Sequence, residues 1–168
     1  MQNRIIRLTI CVIYIGGCEL VFKREKISDI IDDILPLLKK HHAEISDDAD
    51  IAFDPNFELY KLIEDLGNIA MFTVRDKGEL IGYNSFFINF NLHFRSSFQA
   101  VQDVIYIDKD RRGFGRSFID WCNIELKKIG IQKVHYFVKK KYEFGPLLER
   151  SGFNLSEHVY SKRLDRGA

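Results

Sequence analysis

The sequence predicts one α/β domain, a mixed central β-sheet with helices packed on both of its faces. The first observation is the order of strand-like and helix-like patterns, which reads β-α-α-β-β-β-α-β-α-β along the chain. The second is size, because 168 residues that are 46% hydrophobic suffice for one core and fall short of two ordinary domains. With 29% charged residues and three prolines, the composition excludes disordered and fibrous proteins.

Net charge and cysteine content narrow the function classes. A net charge of +1 provides no overall positive field for nucleic acid. The three cysteines are an odd number without the spacing of a disulfide framework, which favours a reducing, cytoplasmic location. No apolar run reaches the length of about 20 residues that a membrane span needs. We therefore expect a cytoplasmic monomer or homodimer with no nucleic-acid and no membrane partner.

The segment 1–17 is predicted to be an N-terminal extension or an extra strand, and the domain proper to span 18–168. Apolar residues within 5–15 suit a β-strand, with Gly16-Gly17 as its turn. The two arginines before this stretch, and the glycine pair and cysteine after it, also resemble a short lipoprotein signal segment. Translation from a different start codon, with the domain beginning near Cys18, is a third interpretation.

Two helices are predicted after a short strand over 19–24. Apolar residues recur with helical spacing from Ile27 to Leu38, with acids near the start and the basic run Lys39–His42 at the end, as the helix dipole favours. A second helix is predicted from Asn56, and Gly67 ends it. The loop between the two helices is acidic and carries Asp47, Asp48, Asp50 and Asp54.

The rest of the chain alternates strands with two further helices. Asp76-Lys77-Gly78 joins two strands as a hairpin turn, and Gly130 and Gly152 end the helices. The predicted strands are 69–75, 80–92, 98–107, 131–138 and 153–164, and the predicted helices are 113–129 and 144–151. These elements complete the mixed sheet.

Glycine and arginine are concentrated where the strand 98–107 leads into the helix that follows. The segment reads Arg111-Arg112-Gly113-Phe114-Gly115-Arg116-Ser117. Glycines let successive backbone N–H groups approach an anion, and the helix N-terminus and the arginines add positive charge. The segment therefore predicts a pyrophosphate site, with a plain strand-to-helix turn as the alternative. A Walker A loop is excluded because Gly-Lys-Ser/Thr is absent, and a dinucleotide fingerprint because Phe118 replaces its third glycine.

Together with the segments after it, this loop resembles the GNAT superfamily of N-acetyltransferases over residues 18–164. The family's Q/R-x-x-G-x-G/A loop is matched as R-x-x-G-x-S from Arg112 or as D-x-x-G-x-G from Asp110. The stretch L-L-E-R-S-G-F, which ends at Phe153, is similar to the late Y-E-K-L-G-F segment of the family. The strand D-x-x-Y-I, which begins at Asp103, and F-G-P-L-L-E-R-x-G-F resemble phage and bacterial members.

The resemblance implies the acyl-CoA N-acyltransferase fold, with acetyl-CoA as co-substrate and no metal. Backbone groups of Ile105, Tyr106 and Ile107 would pair with the pantetheine arm like an added strand. The residues implied for the CoA phosphates are Arg112, Gly113, Phe114, Gly115, Arg116, Ser117 and Lys139. For Lys139, a solvated basic loop is the alternative.

Acetyl transfer needs a group that takes the proton of the acceptor, a polarised thioester carbonyl and an acid for the leaving thiolate. Asp103, on the strand that enters the cofactor site, is the first candidate for the base or for orienting the acceptor, and His93 is the second. Members of the family often place a tyrosine acid where this sequence has Leu148, so Tyr142 is a substitute candidate and protonation by solvent the alternative. For Asp103 and His93, a purely structural role is the alternative.

We therefore predict an acetyl-CoA-dependent N-acetyltransferase that acts on a primary amine by direct attack, because no cysteine or serine has an adjacent base for a covalent route. The acidic loop favours a cationic acceptor, either a small amine such as a polyamine or aminoglycoside, or a lysine or N-terminus of a protein. Solvated loop charge is the alternative. A second hypothesis is a catalytically weak CoA-binding or protein-interaction module. A third is binding of nucleic acid or a host protein by the basic C-terminal part.

Overall fold

The structure, a computed structural model, describes residues 9–47 and 50–165, which form a six-stranded sheet and four helices. Strands β1 to β6 are Ile10–Ile15, Cys18–Glu25, Ile69–Asp76, Glu79–Phe90, Phe98–Ile107 and Lys133–His135. Helices α1 to α4 are Ile31–Ile45, Phe57–Asp65, Gly115–Lys128 and Gly145–Arg150. The predictions for residues 1–8 and for Asp48 of the acidic loop concern residues outside the described range.

The strands follow one another across the sheet in chain order. Neighbouring strands are antiparallel except β5 and β6, which are parallel. β1 is an edge strand joined to β2 by Gly16 and Gly17, whose φ angles of 57° and 83° suit a two-residue hairpin turn. The mixed sheet predicted from the sequence is confirmed.

Each face of the sheet buries its own apolar layer, because successive side chains of a strand point to opposite faces. Helix α3 covers one face, where Phe118 and Trp121 pack against Phe22. Helices α1 and α2 cover the other face, where Ile34 belongs to the same buried cluster as Tyr83 of β4. Helices on both faces are therefore confirmed as well.

The N-terminal end of α1 is fixed by a buried carboxylate on α2. The predicted helix starts near Ile27, but Ile27–Asp29 form a 3-10 turn and α1 begins at Ile31. Glu64 accepts hydrogen bonds from the backbone N–H of Ile27 at 2.7 Å and from Ser28 Oγ at 3.1 Å. Because these donors are satisfied by Glu64, the turn is held against α2.

The predicted final strand over 153–164 is wrong, because this stretch contains no strand. A strand needs the free edge of a neighbour, and β6 has only three residues where 131–138 is predicted. Apolar side chains of the stretch, such as Leu155 and Tyr160, are exposed. Alternation of apolar residues alone does not supply a partner for pairing.

Gly82 of β4 has no room for a side chain. A Cβ there would lie 2.8 Å from Val74 Cγ1 and 2.9 Å from Tyr106 O. We expect Gly82→Ala to lower the free energy of unfolding by about 1–3 kcal/mol, the usual cost of overpacking. Gly115→Ala is the matched control, since a Cβ there would meet nothing closer than 3.6 Å. Urea unfolding of both variants measures the effect, and equal stabilities would contradict it.

Candidate active site

Strands β5 and β6 pair over three residues and then separate. The ladder joins Gln99, Ala100 and Val101 to Lys133, Val134 and His135. Just beyond it, the side-chain oxygen of Gln102 accepts a hydrogen bond from the backbone N–H of Phe137 at 3.1 Å. In the described part of the chain, no strand pairs with this edge of β5 after Val101. Arg112 Nε donates a hydrogen bond to Ile107 O at 3.1 Å. Apart from this side-chain contact, the edge over 105–107 is open to an extended ligand.

A β-bulge lies where this open edge begins. The register with β4 shifts between the pairs 84–105 and 86–102, so Asp103 and Val104 both stand opposite Ser85. Tyr60 Oη of α2 donates a hydrogen bond to Asp103 Oδ2 at 2.8 Å, and Ser85 Oγ donates to the same oxygen at 3.0 Å. Oδ1 accepts no hydrogen bond from the residues that the structure describes.

The environment of Asp103 makes it a proton acceptor. Burial raises the pKa of Asp103, and the hydrogen bonds from Tyr60 and Ser85 act in the opposite direction. Burial, together with the charge of Asp103 and the hydrogen bond to it, raises the pKa of Tyr60, which stays protonated as a donor. The carboxylate is thus held in one position and keeps a free oxygen with raised proton affinity.

The N-terminus of α3 presents backbone N–H groups directly after β5. The helix begins at Gly115 without a capping side chain, and its first internal bond runs from Phe118 N to Phe114 O at 3.0 Å. The N–H groups of residues 115–117 precede this bond and have no partner within the helix. Gly113, two residues before the helix, has a φ of 127°, which side chains rarely adopt. These features together suit an anion.

Two predicted phosphate-binding cations contact the C-terminal end of α1. Arg112 Nη2 lies 2.7 Å from Glu44 Oε1, and Lys139 Nζ lies 3.0 Å from Asp47 Oδ2. The hydroxyl of Tyr142 donates a hydrogen bond to Glu44 O. The structure therefore brings three of the predicted site residues together around one helix end. Any anion that binds these cations competes with the two carboxylates.

Two aspartates of the acidic loop have cationic partners within the chain. Asp47 is paired with Lys139 as described, and Asp50 Oδ2 lies 3.3 Å from Arg163 Nη2. Asp54 is exposed. Arg163 also pairs with Asp165, so it offsets the charge of Asp50 only in part. These ion pairs reduce the negative charge that the described part of the loop offers an acceptor.

His41 of α1 is a buried side chain that sequence reasoning assigned only to a helix end. Its Nδ1 lies 2.7 Å from Tyr83 Oη, and its ring stacks on Tyr106 with centroids 4.9 Å apart. Burial lowers the pKa of His41 to about 4, so the imidazole is neutral at neutral pH. The Arg112 guanidinium lies over the other partner in the stack, 5.9 Å from the centroid of Tyr106. This stack connects α1 to Arg112 of the glycine-arginine loop.

His93 is not brought to Asp103. It lies in the loop between β4 and β5, beyond the far end of β5. The strand from Phe98 to Asp103 alone covers about 16 Å, given the rise of an extended chain. Arg111, in the glycine-arginine loop, has its side chain paired elsewhere, because its Nη1 lies 2.9 Å from Asp76 Oδ2 of β3.

The adjacent residues His41, His42 and Glu44 have separate partners. The ring of His42 packs against Phe53 with centroids 5.0 Å apart, and Glu44 binds Arg112. Within residues 9–47 and 50–165, no three or more His, Cys, Asp or Glu side chains are grouped to hold a metal ion. Over the same residues, no helix has both the length and the apolar character to cross a membrane.

No protein-family model matches the chain, and no curated protein matches it in sequence. Several solved structures match it in three dimensions. An aminoglycoside acetyltransferase from an uncultured soil metagenomic sample, in complex with sisomicin, has a TM-score of 0.66 and 15% identity over 89% of this chain and 97% of its own. Glucosamine-6-phosphate N-acetyltransferase from Arabidopsis thaliana has a TM-score of 0.67 and 15% identity, with coverages of 87% and 99%. A predicted acetyltransferase with acetyl-CoA from Clostridium acetobutylicum has a TM-score of 0.62 and 13% identity, with coverages of 86% and 96%.

These likenesses establish the fold. The chain has the GNAT acyl-CoA N-acyltransferase fold, and the resemblance found in the glycine-arginine loop and the later segments is confirmed at that level. Identities of 13–15% carry no acceptor from one protein to another.

Burial of a neutral His41 makes stability depend on pH. The pKa of His41 falls from its ordinary 6.5 to about 4 on folding, so the unfolded chain takes up a proton first as the pH drops. The free energy of unfolding should therefore decrease from pH 6.5 toward pH 4. We expect His41→Gln to remove about 2 kcal/mol of the loss between pH 7 and pH 4.5.

Urea unfolding at the two pH values, with His42→Gln as the control, measures this loss. The control should lose as much stability as the wild type, because it leaves His41 in place. A wild-type pH dependence in His41→Gln would show that His41 is not the group responsible.

Proposed function

We propose that the protein is an acetyl-CoA-dependent N-acetyltransferase that transfers the acetyl group directly to a primary amine. The observation that carries this proposal is the order of features within residues 103–117, a bulged carboxylate, an open strand edge and an uncapped helix N-terminus. Acetyl-CoA is an extended molecule with its thioester at one end and its phosphates farther along. In this order, the three features therefore correspond to the acceptor amine, the pantetheine arm and the pyrophosphate.

Each part of acetyl-CoA has a proposed partner on this chain. The amides of the pantetheine arm would bond to the open edge of β5 over 105–107, as an added strand does. The pyrophosphate would meet the N–H groups of residues 113–117. Phe114 would contribute only its backbone, because its side chain is buried. Arg112 and Lys139 would supply positive charge when the phosphates displace Glu44 of α1 and Asp47, which follows that helix.

Asp103 is the proposed base. The amine nitrogen attacks the thioester carbonyl carbon, a C–N bond forms, and the C–S bond then breaks. Asp103 Oδ1 takes the proton that the amine must lose, while Tyr60 and Ser85 keep the carboxylate in place through Oδ2. The CoA thiolate takes a proton from solvent, or from Tyr142 once that hydroxyl is released from Glu44 O. His93 has no part in this mechanism, because it lies apart from the site.

The acceptor is proposed to be a small molecule. Of the structures with this fold, one is an aminoglycoside acetyltransferase with sisomicin bound and another a glucosamine-6-phosphate N-acetyltransferase, whose names both denote small amines. A further structure with this fold is a ribosomal-protein-alanine N-acetyltransferase, so the fold serves both acceptor classes, and a protein lysine or N-terminus stays the alternative for the present chain.

A second candidate function is a CoA-binding module with little or no turnover. Leu148, where members of the family often have a tyrosine acid, is buried, and the substitute Tyr142 is bonded to α1. Binding of acetyl-CoA without acetylation of any amine in a broad panel would establish this function.

Gly113→Val combined with Gly115→Val is expected to weaken acetyl-CoA binding by at least about tenfold, because the new side chains would stand between the phosphates and the backbone N–H groups. Gly130→Val is the control, since its φ of 89° imposes similar backbone strain at the other end of α3. Calorimetric titration measures the affinity, and circular dichroism verifies the fold. Unchanged affinity in the double variant would refute the phosphate assignment.

Asp103→Asn is expected to lower kcat by about 10²–10³ with little change in acetyl-CoA affinity, because an amide accepts no proton from the amine. In the wild type, kcat/KM for the amine should fall as the pH drops through the raised pKa of Asp103, and the variant should lack this decrease. Asp108→Asn, in the loop after β5, is the control. Release of the CoA thiol gives the rates, and a wild-type pH profile in Asp103→Asn would exclude it as the base.

A further inference from the structure

A small cavity lies on the face of the sheet that α1 and α2 cover, and its lining includes Tyr60 and Ser85, the two residues that donate hydrogen bonds to Asp103. Its volume is about 30 Å³, which gives room for a group of one or two heavy atoms. The lining is almost entirely apolar and includes Ile34, Leu38, Phe57 and Met71, with Val104 of the bulge. The cavity therefore lies within reach of whatever group Asp103 binds.

The two polar side chains that line the cavity already donate hydrogen bonds within the protein. Tyr60 and Ser85 line it, and each donates its hydroxyl hydrogen to Asp103 Oδ2. A hydroxyl or a second ammonium placed in the cavity would lose its water and find no charged partner there. Asp103 Oδ1, in contrast, is free to accept a hydrogen bond from one ammonium group.

The walls of the cavity are anchored on both sides. Glu64 holds the turn that carries Ile27, another lining residue, against α2. On α1, His41 is bonded to Tyr83 of β4. Because these hydrogen bonds hold both helices in place, we expect the cavity to select for the size of the group that enters it.

We propose that this cavity holds the apolar end of the acceptor, its last one or two carbons, so that the acceptor is a short alkyl monoamine whose ammonium group pairs with Asp103 Oδ1. The inference rests on the proposed function, which places the amine at Asp103. The ammonium group gives one proton to Asp103 Oδ1, and the resulting amine forms a C–N bond to the acetyl carbon as the C–S bond breaks. The nitrogen loses its second proton and the CoA thiolate takes one up, so the amide and the CoA thiol form with one proton released to solvent. A short monoamine differs from the polyamine or aminoglycoside that the acidic loop predicts, and Asp47 and Asp50 of that loop are paired with Lys139 and Arg163.

Two amines of equal length test the inference. n-Butylamine and 1,3-diaminopropane have the same number of heavy atoms and differ in a terminal methyl or ammonium group. We expect kcat/KM of the wild-type protein with acetyl-CoA to be at least about tenfold higher for n-butylamine, because only its methyl group suits an apolar pocket. Glucosamine, which carries several hydroxyl groups, should be a poorer acceptor than n-butylamine as well.

Variants of Leu38 test whether this cavity is the site of selection. Leu38→Ala enlarges it and should move the optimal alkylamine to a longer chain, whereas Leu38→Phe fills it and should move the optimum to a shorter chain. Leu59→Ala on α2 is the control, because Leu59 is 49% exposed and outside the lining. An optimum that stays fixed in both Leu38 variants would overturn the inference.

The outcomes separate this inference from the proposed function. Equal or higher kcat/KM for 1,3-diaminopropane in an active enzyme would overturn the monoamine inference and leave acetyl transfer intact. Failure to bind acetyl-CoA or to acetylate any amine would overturn the proposed function. In that case, ligand-observed NMR with n-butylamine tests the cavity directly: binding that Leu38→Phe abolishes supports the inference, and no binding overturns it.

Discussion

The separation of β5 from β6 after Val101 is the constraint on which the rest of the site depends. If the two strands stayed paired, the backbone groups over 105–107 would be used within the sheet and no ligand could reach them. Gln102 ends the ladder by bonding its side chain to Phe137 N at 3.1 Å. The bulge at Asp103 follows at once and aims the carboxylate at α2. A break in the ladder and a one-residue shift thus create both the open edge and the position of Asp103, the proposed base.

Helix α1 couples the two ends of this site. Its C-terminal end binds Arg112 and the loop of Lys139, while His41 in the same helix contacts Tyr83 and stacks on Tyr106. Phosphates that draw the cations away from α1 would therefore release the helix end nearest to them. The N-terminal part of α1, which lines the acceptor cavity, is held separately through the turn bonded to Glu64. Cofactor binding would thus act on one end of the helix and acceptor selection on the other.

Patterns local in sequence predicted most of the fold, and contacts between distant segments account for what they missed. Spacing and turn residues placed β2 to β5 and the four helices, and the glycine-arginine loop is where the phosphate site is proposed. The bulge at Asp103 could not be predicted from the sequence, because it arises from the register between two strands. The hydrogen bond from Tyr60 to Asp103 could not be predicted either, because the two residues are 43 positions apart. The signal for His41 was present in its helical spacing from Ile34 and Leu37, but the basic residues around it suggested a solvated helix end.

Backbone ¹H–¹⁵N spectra of the full chain titrated with acetyl-CoA test the central claim most directly, that one continuous run of backbone on β5 and α3 binds the cofactor. We predict that the amide signals of 105–107 and 115–117 shift together, and that those of the 91–97 loop stay unchanged. Saturable binding that leaves the amides of 115–117 in place would contradict the account, because the phosphates would then lie elsewhere. An unchanged spectrum at millimolar acetyl-CoA would contradict it altogether.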